Sequence, residues 1–170
     1  MPPNATNRPV TPADLPAIAT LHAEVFGPGR FARTAYRVRE SRPAGASPIS
    51  PYCRLAMLGE RLVAAVQLTD VTVGGKGGAL LLGPLVVATD ATGLGFGRAL
   101  IAEALEAAKA GGVRVVILVG DVAYYGRFGF KPVPAGQITL PGPVNPTRIL
   151  AAELEAGAIA DYQGMVAAAR

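Results

Sequence analysis

The sequence has very few residues of the kinds that bind metals or form disulfides. It contains one cysteine, Cys53, and one histidine, His22. A single cysteine excludes an internal disulfide and fits a reducing compartment, so we expect a cytoplasmic protein. A structural zinc site takes four ligands, mostly cysteine and histidine, and this chain is short of both. We therefore expect no bound metal.

Long apolar runs are also absent. No run approaches the roughly 18–20 residues that a membrane span needs. The longest, GALLLGPLVVA, is interrupted by Gly83 and Pro84 and predicts a buried strand. The first ten residues, MPPNATNRPV, have no apolar core of the kind a signal peptide requires. We expect neither a membrane partner nor secretion by a signal peptide.

Lysine is scarce, and arginine supplies nearly all of the positive charge. The formal net charge is +4, yet the sequence has no runs of lysine and arginine. A moderate basic excess without such runs is poor evidence for nucleic-acid binding, so we expect no nucleic-acid partner. The same excess suits a small anionic ligand equally well.

What is present fits one globular domain over residues 1–170. Of these residues, 51% are hydrophobic and 16% are charged, which is typical of a chain that folds around a core. Neither internal repeats nor a domain boundary are visible. The predicted element order is β-α-α-β-β-β-α-β-α-β-β, an α/β domain with a mixed sheet.

Local signals place these elements along the chain. A first strand is predicted near residues 8–10, and the next helix begins with Thr11 as N-cap, Pro12 at its first position and Asp14 in a capping box. A second helix fits RFARTAYRVRE. The remaining expectations are strands at 52–58, 61–73, 79–88, 113–120, 130–140 and 147–154, a turn at 74–78, a helix at 97–110 and a short helix within DVAYYGRFGF.

The stretch ATDATGLGFGRAL carries glycines at 93, 95 and 97 before a helix. A nucleotide P-loop is excluded because Gly97 is followed by Arg98 and not by Lys-Ser/Thr. As a dinucleotide-binding motif, the stretch lacks the third glycine and begins too far after the preceding strand. Asp121, after the next strand, nevertheless keeps dinucleotide binding open as an interpretation. A longer loop that wraps a pyrophosphate with its N–H groups, or a turn that only positions the helix, also remains open.

The flanking residues favour the pyrophosphate loop. From Leu80 to Val133 the sequence resembles the GNAT superfamily of acetyl-CoA-dependent N-acetyltransferases. Gly95 and Gly97 match the family's loop with Phe96 between them, and Tyr125 precedes Gly129-Phe130 as in the family. With its first helix and its long tail included, the chain resembles a subgroup of predicted bacterial acetyltransferases that have an extended C-terminal end.

The resemblance implies the GNAT fold, in which the central strands separate and helices cover both faces of the sheet. It also implies acetyl-CoA as co-substrate, with its pantetheine arm held along Leu85, Val86 and Val87. The implied pyrophosphate site consists of Thr92, Gly93, Leu94, Gly95, Phe96, Gly97 and Arg98. Thr92 stands where the family has Gln or Arg, so we expect weaker cofactor binding.

Tyr125 matches the family's general acid, which protonates the coenzyme thiolate. A phenol with a pKa near 10 keeps its proton at neutral pH and can donate it to a thiolate. The neighbouring Tyr124 is predicted to pack, and Asp121 to cap the short helix with its side chain.

The general base is not identified by the sequence. Glu24, Asp70, Asp90 and His22 are candidates by polarity alone, and His22 fits a packing role better. The acceptor side of the site is expected at Arg30, Arg33 and Tyr36, where the arginines could bind a carboxylate or phosphate or simply face solvent. A polyamine acceptor fits poorly there, because positive charge would face positive charge.

The sequence thus predicts transfer of an acetyl group from acetyl-CoA to a primary amine, on a small molecule or a protein, by direct attack on the thioester. Two alternatives remain open: a GNAT-fold module that binds acyl-CoA without turnover, and an acyltransferase for longer chains. A homodimer through the C-terminal strands is also possible.

Overall fold

The computed structural model describes residues 2–29, 35, 37–38 and 49–169. Within these residues the chain forms nine strands and three α-helices. The strands are β1 (Ala5–Pro9), β2 (Arg54–Leu58), β3 (Arg61–Val73), β4 (Lys76–Val87), β5 (Val115–Val119), β6 (Lys131–Pro132), β7 (Ile138–Thr139), β8 (Ile149–Glu153) and β9 (Gly164–Ala168). The helices are α1 (Leu15–Phe26), α2 (Phe96–Ala110) and α3 (Val122–Tyr125).

The predicted capping box opens the first helical segment. The backbone N–H of Thr11 donates to the Asp14 carboxylate at 2.8 Å, and Arg8 donates to the same carboxylate through both guanidinium nitrogens at 2.7 and 2.8 Å. The first turn, Pro12–Asp14, is a 3₁₀ turn, so the α-helix begins only at Leu15. The start of the segment is confirmed, with a tighter first turn than predicted.

The sheet is mostly antiparallel, in the order β1-β2-β3-β4-β5-β8-β6. Within this order the β4–β5 pair is parallel, and α2 forms its crossover connection. At the far end of β3, β9 adds to the sheet by pairing Val71–Val73 with Val166–Ala168, and β7 pairs with β9 in parallel. The long β3–β4 hairpin therefore forms the centre of the sheet.

The central strands β4 and β5 separate after three residue pairs. Pairing covers Ala79–Leu81 opposite Val115–Ile117 and then stops. Just beyond this point a bulge sets Gly83 and Pro84 opposite the single residue Gln67, because Val66 pairs with Leu85 and Leu68 with Leu82. Proline has no N–H to donate to a ladder, and it is found at such bulges. Gly83 and Pro84 therefore form a bulge, and β4 and β5 part beside it.

Both faces of the central strands are buried. The neighbours Ala64 and Ala65 point to opposite faces, and each is 0% exposed. One core packs side chains of the strands against α1 and α2. Helix α2 contributes buried residues at helical spacing, namely Phe96, Leu100, Ile101, Ala104 and Ala108. The second core lies against the C-terminal segment around Tyr162. The predicted fold class, a mixed α/β sheet with parted central strands, is confirmed.

Several boundaries differ from the prediction. The turn after β3 is shorter than predicted, because β4 already begins at Lys76. The strand expected at 130–140 is reduced to β6 and β7, of two residues each, and β9 was not predicted. The helix predicted over residues 30–40 lies mostly outside the described residues. Short strands with few paired residues leave weak patterns in a sequence.

Candidate functional site

The larger of two neighbouring cavities lies at the glycine-rich loop. Its volume is about 650 Å³. The lining comes from the end of β4, the loop, the first turn of α2, and α3, namely Val87, Ala91, Thr92, Gly93, Leu94, Gly95, Phe96, Gly97, Arg98 and Tyr124. All seven loop residues predicted to bind pyrophosphate line this one cavity.

Glycine is required in this loop for two different reasons. Gly93 and Gly95 have positive φ angles of 79° and 89°, a region that L side chains rarely adopt. Gly97 has no such angle, but a Cβ there would lie 3.0 Å from the Tyr124 hydroxyl and 3.4 Å from Leu85 Cδ2. The backbone of α2 therefore comes close to two other elements at its first turn.

The loop presents unpaired backbone donors to the cavity. The first helical hydrogen bond of α2 runs from the Ala99 N–H to the Gly95 carbonyl at 3.1 Å. In the part of the chain that the structure describes, the N–H groups from Gly93 to Arg98 donate no hydrogen bond. Free donors at the positive end of a helix dipole bind anions. The loop thus fits a phosphate-bearing ligand, and a side chain at Gly97 would have to displace Tyr124 and Leu85 slightly.

The Thr92 hydroxyl forms a hydrogen bond within its own loop. It donates to the Thr89 carbonyl at 3.2 Å and so closes the 3₁₀ turn Thr89–Ala91 that leads into the glycines. The backbone conformation of the loop is therefore supported by Thr92, while the donors that face the cavity are main-chain N–H groups.

The smaller cavity, of about 260 Å³, lies where β4 and β5 part. It is lined by Ala35, Leu81, Leu82, Gly83, Pro84, Leu85, Leu118, Val119, Tyr125 and Arg148. Tyr125 reaches it from α3, and its ring lies against Gly120, where an added Cβ would come 2.6 Å from the ring. The structure thus brings the predicted general acid to the open end of the separated strands.

Two of the three predicted pantetheine-binding residues line the cavities. Leu85 lines the smaller cavity and Val87 the larger one. Val86, between them, is 1% exposed and points into the core. The three residues pair with β3 along one edge, whereas the pairing of β4 with β5 ends at Leu81. The second backbone edge of Leu85–Val87 is therefore available to a ligand that spans the two cavities.

Tyr124 has a larger role than sequence analysis assigned to it. It packs as predicted, with its ring edge-on to Tyr125 and Phe128 at 4.9 and 5.8 Å between centroids. It also lines the larger cavity and brings its hydroxyl close to Gly97. Neighbouring tyrosines on one short helix turn thus serve different cavities. The signal for this arrangement is the adjacency of the two tyrosines, because consecutive residues of a helix point to different faces.

Asp121 occupies the predicted N-cap position, but its carboxylate does not cap the helix. The Asp121 carbonyl accepts from the N–H groups of Tyr124 and Tyr125 at 3.1 and 3.0 Å, while the carboxylate lies 3.5 Å from Arg148. The predicted side-chain cap is therefore wrong. The competing positive charge of Arg148, which lies far away in sequence, was not predictable from the local pattern.

None of the base candidates lines either cavity. Asp90 forms a two-bond ion pair with Arg61 at 2.6 and 2.9 Å, and this pairing lowers the Asp90 pKa. His22 is buried and stacks on Phe26 at 5.6 Å, which confirms its packing role. Glu24 is exposed, and Asp70 lies on β3. Arg30, Arg33 and Tyr36, the predicted acceptor side, lie outside the described residues.

Among residues 2–29, 35, 37–38 and 49–169, no group of three or more His, Cys, Asp or Glu side chains lies together as metal ligands would. Among the described helices, none combines the length and the apolar character that crossing a membrane demands.

The fold and the loop together define a class: α/β domains that hold a phosphate-bearing ligand between two parting parallel strands. The chain belongs to the GNAT acetyltransferase family, because residues 6–133 match the family model described as "Acetyltransferase (GNAT) domain". This membership supports acyl-CoA-dependent acetyl transfer in general. No curated protein sequence matches the chain.

Solved structures share the fold. A GNAT family N-acetyltransferase (YhbS) from Escherichia coli in complex with CoA is 24% identical, with a TM-score of 0.79 over 97% of this chain and 89% of that one. A Brucella melitensis GNAT family acetyltransferase in complex with acetyl-CoA is also 24% identical, with a TM-score of 0.61 over 86% and 94%. The Escherichia coli ribosomal-protein-S18-alanine N-acetyltransferase is 17% identical, with a TM-score of 0.53 over 90% and 96%.

Proposed function

We propose that this chain is an acetyl-CoA-dependent N-acetyltransferase that transfers an acetyl group to a primary amine by direct attack on the thioester. The observation that carries the proposal is the arrangement of the two cavities along one strand edge. Val87 lies at the anion-binding loop and Leu85 at Tyr125. These positions are about 7 Å apart along a strand, so an extended cofactor would pass from one cavity to the other.

The residues present fit acetyl-CoA, which supplies an activated acyl group. The N–H groups from Gly93 to Arg98 would bind the pyrophosphate, and the free edge of Leu85–Val87 would hydrogen-bond the pantetheine arm. The thioester would then lie in the smaller cavity beside Tyr125. Solved relatives in complex with CoA and with acetyl-CoA support this choice of cofactor.

In this arrangement Tyr125 acts as the general acid. The amine nitrogen forms a bond to the acetyl carbon, the carbon–sulfur bond breaks, and the phenol of Tyr125 gives its proton to the departing thiolate. A backbone N–H near the bulge would polarise the thioester oxygen. Since no carboxylate of the described residues lines either cavity, the amine would lose its proton to water or to a carbonyl group.

Positive charge at the smaller cavity indicates which acceptor amines would fit there. Arg148 lines the cavity beside Tyr125, and the predicted acceptor side adds Arg30, Arg33 and Tyr36. An amine that also carries a carboxylate or phosphate therefore fits better than a polyamine. The acceptor is a small molecule or a protein amine. The S18-alanine N-acetyltransferase, by its name, acts on a protein.

A thiol-release assay tests the proposal. Wild type, Tyr125→Phe and the matched control Tyr162→Phe are compared with acetyl-CoA and a panel of amino acids, polyamines and peptides. The Tyr162 hydroxyl donates to the Gly77 carbonyl at 2.7 Å, far along the chain from either cavity. We expect kcat to fall by about 10²–10⁴-fold in Tyr125→Phe alone, with acetyl-CoA affinity retained.

A binding module without turnover is the second candidate. The absence of a carboxylate from the lining of both cavities, within the described residues, favours it. Tight acetyl-CoA binding with no thiol release on the whole panel would support this module over the enzyme. Failure to bind any CoA ester would overturn both.

A further inference from the structure

Two arginines near the larger cavity differ from other arginines of the described residues: Arg98 lines the cavity, and Arg127 contacts Tyr124, which lines it. Arg8, Arg61, Arg114 and Arg148 pair with carboxylates, and Arg54 donates to main-chain carbonyls. Arg98 and Arg127 have neither kind of partner among the described residues. Exposed arginines without an acidic partner, at the rim of an anion-binding cavity, are available to an anionic ligand.

Arg127 lies next to this cavity, against the ring of its lining residue Tyr124. Its guanidinium carbon lies 5.0 Å from the centre of the Tyr124 ring, a cation–π contact. The ring in turn packs edge-on against Tyr125 and Phe128 and points its hydroxyl towards Gly97. The guanidinium is thus positioned on a fixed aromatic surface, and stacking leaves its N–H groups free to donate in the plane of the group.

The two arginines belong to different elements beside the cavity. Arg98 stands on the first turn of α2, among the same N–H groups that suit the pyrophosphate. Arg127 follows α3, on the 3₁₀ turn Gly126–Phe128. A CoA molecule carries a second anionic group, the 3′-phosphate of its ribose, which the donors of the glycine loop do not account for.

We propose that Arg127, stacked on Tyr124, binds the 3′-phosphate of CoA and makes the chain select CoA over 3′-dephospho-CoA. The inference rests on the proposed function and adds a specificity-determining residue to it. A planar guanidinium can give two parallel hydrogen bonds to one phosphate. The dephosphorylated cofactor keeps the pyrophosphate and the pantetheine arm, so only the Arg127 contact distinguishes the two ligands.

Calorimetric titration with CoA and with 3′-dephospho-CoA tests this assignment without any need for an acceptor amine. The proteins are wild type, Arg127→Ala, Arg127→Lys and the charge-matched control Lys109→Ala. Lys109 is exposed near the last turn of α2, about 20 Å along that helix from its first turn. Thermal unfolding of each variant checks that the fold is unchanged.

We expect the affinity of wild type for CoA to be at least roughly tenfold higher than for 3′-dephospho-CoA, because one charged hydrogen-bonding contact contributes about that much. In Arg127→Ala the affinity for CoA should fall while the affinity for 3′-dephospho-CoA stays the same, so the preference is lost. Arg127→Lys should keep part of the preference, and Lys109→Ala should keep all of it. Equal weakening of both ligands by Arg127→Ala would show a packing role only and overturn the assignment.

Failure of the assignment and failure of the proposed function give different results. If wild type binds both ligands equally well, Arg127 does not read the 3′-phosphate, while the proposed cofactor stands. If wild type binds neither, the proposed function and the assignment fall together.

Discussion

The strand pair β4–β5 is closed at one end and open at the other. At the closed end, Leu80 and Val116 pair and are each 0% exposed. At the open end, Leu85 and Val87 are only half-buried and line cavities. The side chains are of the same kind at both ends. The difference lies in the backbone: β4 pairs with β5 only as far as Leu81, and the bulge at Gly83 and Pro84 follows.

This comparison separates stability from binding within one strand. Paired backbone and close side-chain packing at the closed end contribute to folding free energy. At the open end the strand edge is left without β5, and its hydrogen-bonding groups remain for a ligand. Substitutions at the two ends should therefore affect different measurements.

The largest effect is expected from Leu80→Ala at the closed end. Removing a fully buried leucine leaves a cavity, so the free energy of unfolding should fall by about 2–5 kcal/mol. Leu85→Ala is the matched change at the open end and should cost less than half as much while weakening CoA binding. Urea denaturation and calorimetric titration measure the two effects. Equal losses of stability would remove the distinction between the ends.

Gly97→Val tests the open end through the close approach of α2. Its side chain would press on the Tyr124 hydroxyl and on Leu85. We expect CoA affinity to fall at least about tenfold, with a small change in stability. Ala102→Val, at an exposed position of the same helix, controls for the cost of a β-branched residue. CoA binding as tight as in that control would contradict the proposed cavity.

Gln67→Leu tests the boundary between the two ends. Gln67 lies opposite the bulge and is 6% exposed, and its side-chain oxygen has no hydrogen-bond partner among the residues that the structure describes. Replacing it with an apolar side chain should stabilise the fold by about 1 kcal/mol. In the matched change Gln137→Leu, two hydrogen bonds to the Ile159 and Tyr162 carbonyls are lost, so stability should fall. Destabilisation in both variants would refute an unsatisfied Gln67.

The smallest effect is expected far from both ends, at Asp14. Hydrogen bonding from Arg8 holds the Asp14 pKa well below its ordinary value. The carboxylate therefore stabilises the fold fully above about pH 4, and the gain is lost as the pH falls further. By urea denaturation across pH, Asp14→Asn should cost about 0.5 kcal/mol at pH 7 and progressively less below pH 4. CoA affinity should not change; a change would link the capping box to the site.

Much of the fold was predictable because its signals are local. The capping box at Thr11, the strands on either side of Gly59-Glu60, and the helix after Gly95 each depend on neighbouring residues, and the structure has all three. By contrast, β9 is a short strand that exists because it adds to the edge of β3 at Val71–Val73. Pairing over such a distance leaves little periodicity for sequence analysis to detect.

The site was predictable in part for the same reason. The glycine loop is continuous in sequence, so its seven residues could be named together, and all of them line one cavity. Arg148 beside Tyr125 and the Tyr124 hydroxyl beside Gly97 were missed, because each contact joins elements that are distant along the chain. The ion pair that occupies Asp90 was likewise invisible, since Arg61 lies 29 residues away.

By itself, the sequence determined where backbone conformation is constrained: glycines that permit positive φ, a proline that cannot donate to a ladder, and a helix start with unpaired N–H groups. These are properties of single residues and their neighbours. Only the tertiary structure decided which constrained segments meet. The parting of β4 from β5 opens the strand edge between the glycine loop and Tyr125, and the packing of α3 brings Arg127 against the Tyr124 ring. Such contacts depend on how the sheet and helices pack, which no local pattern specifies.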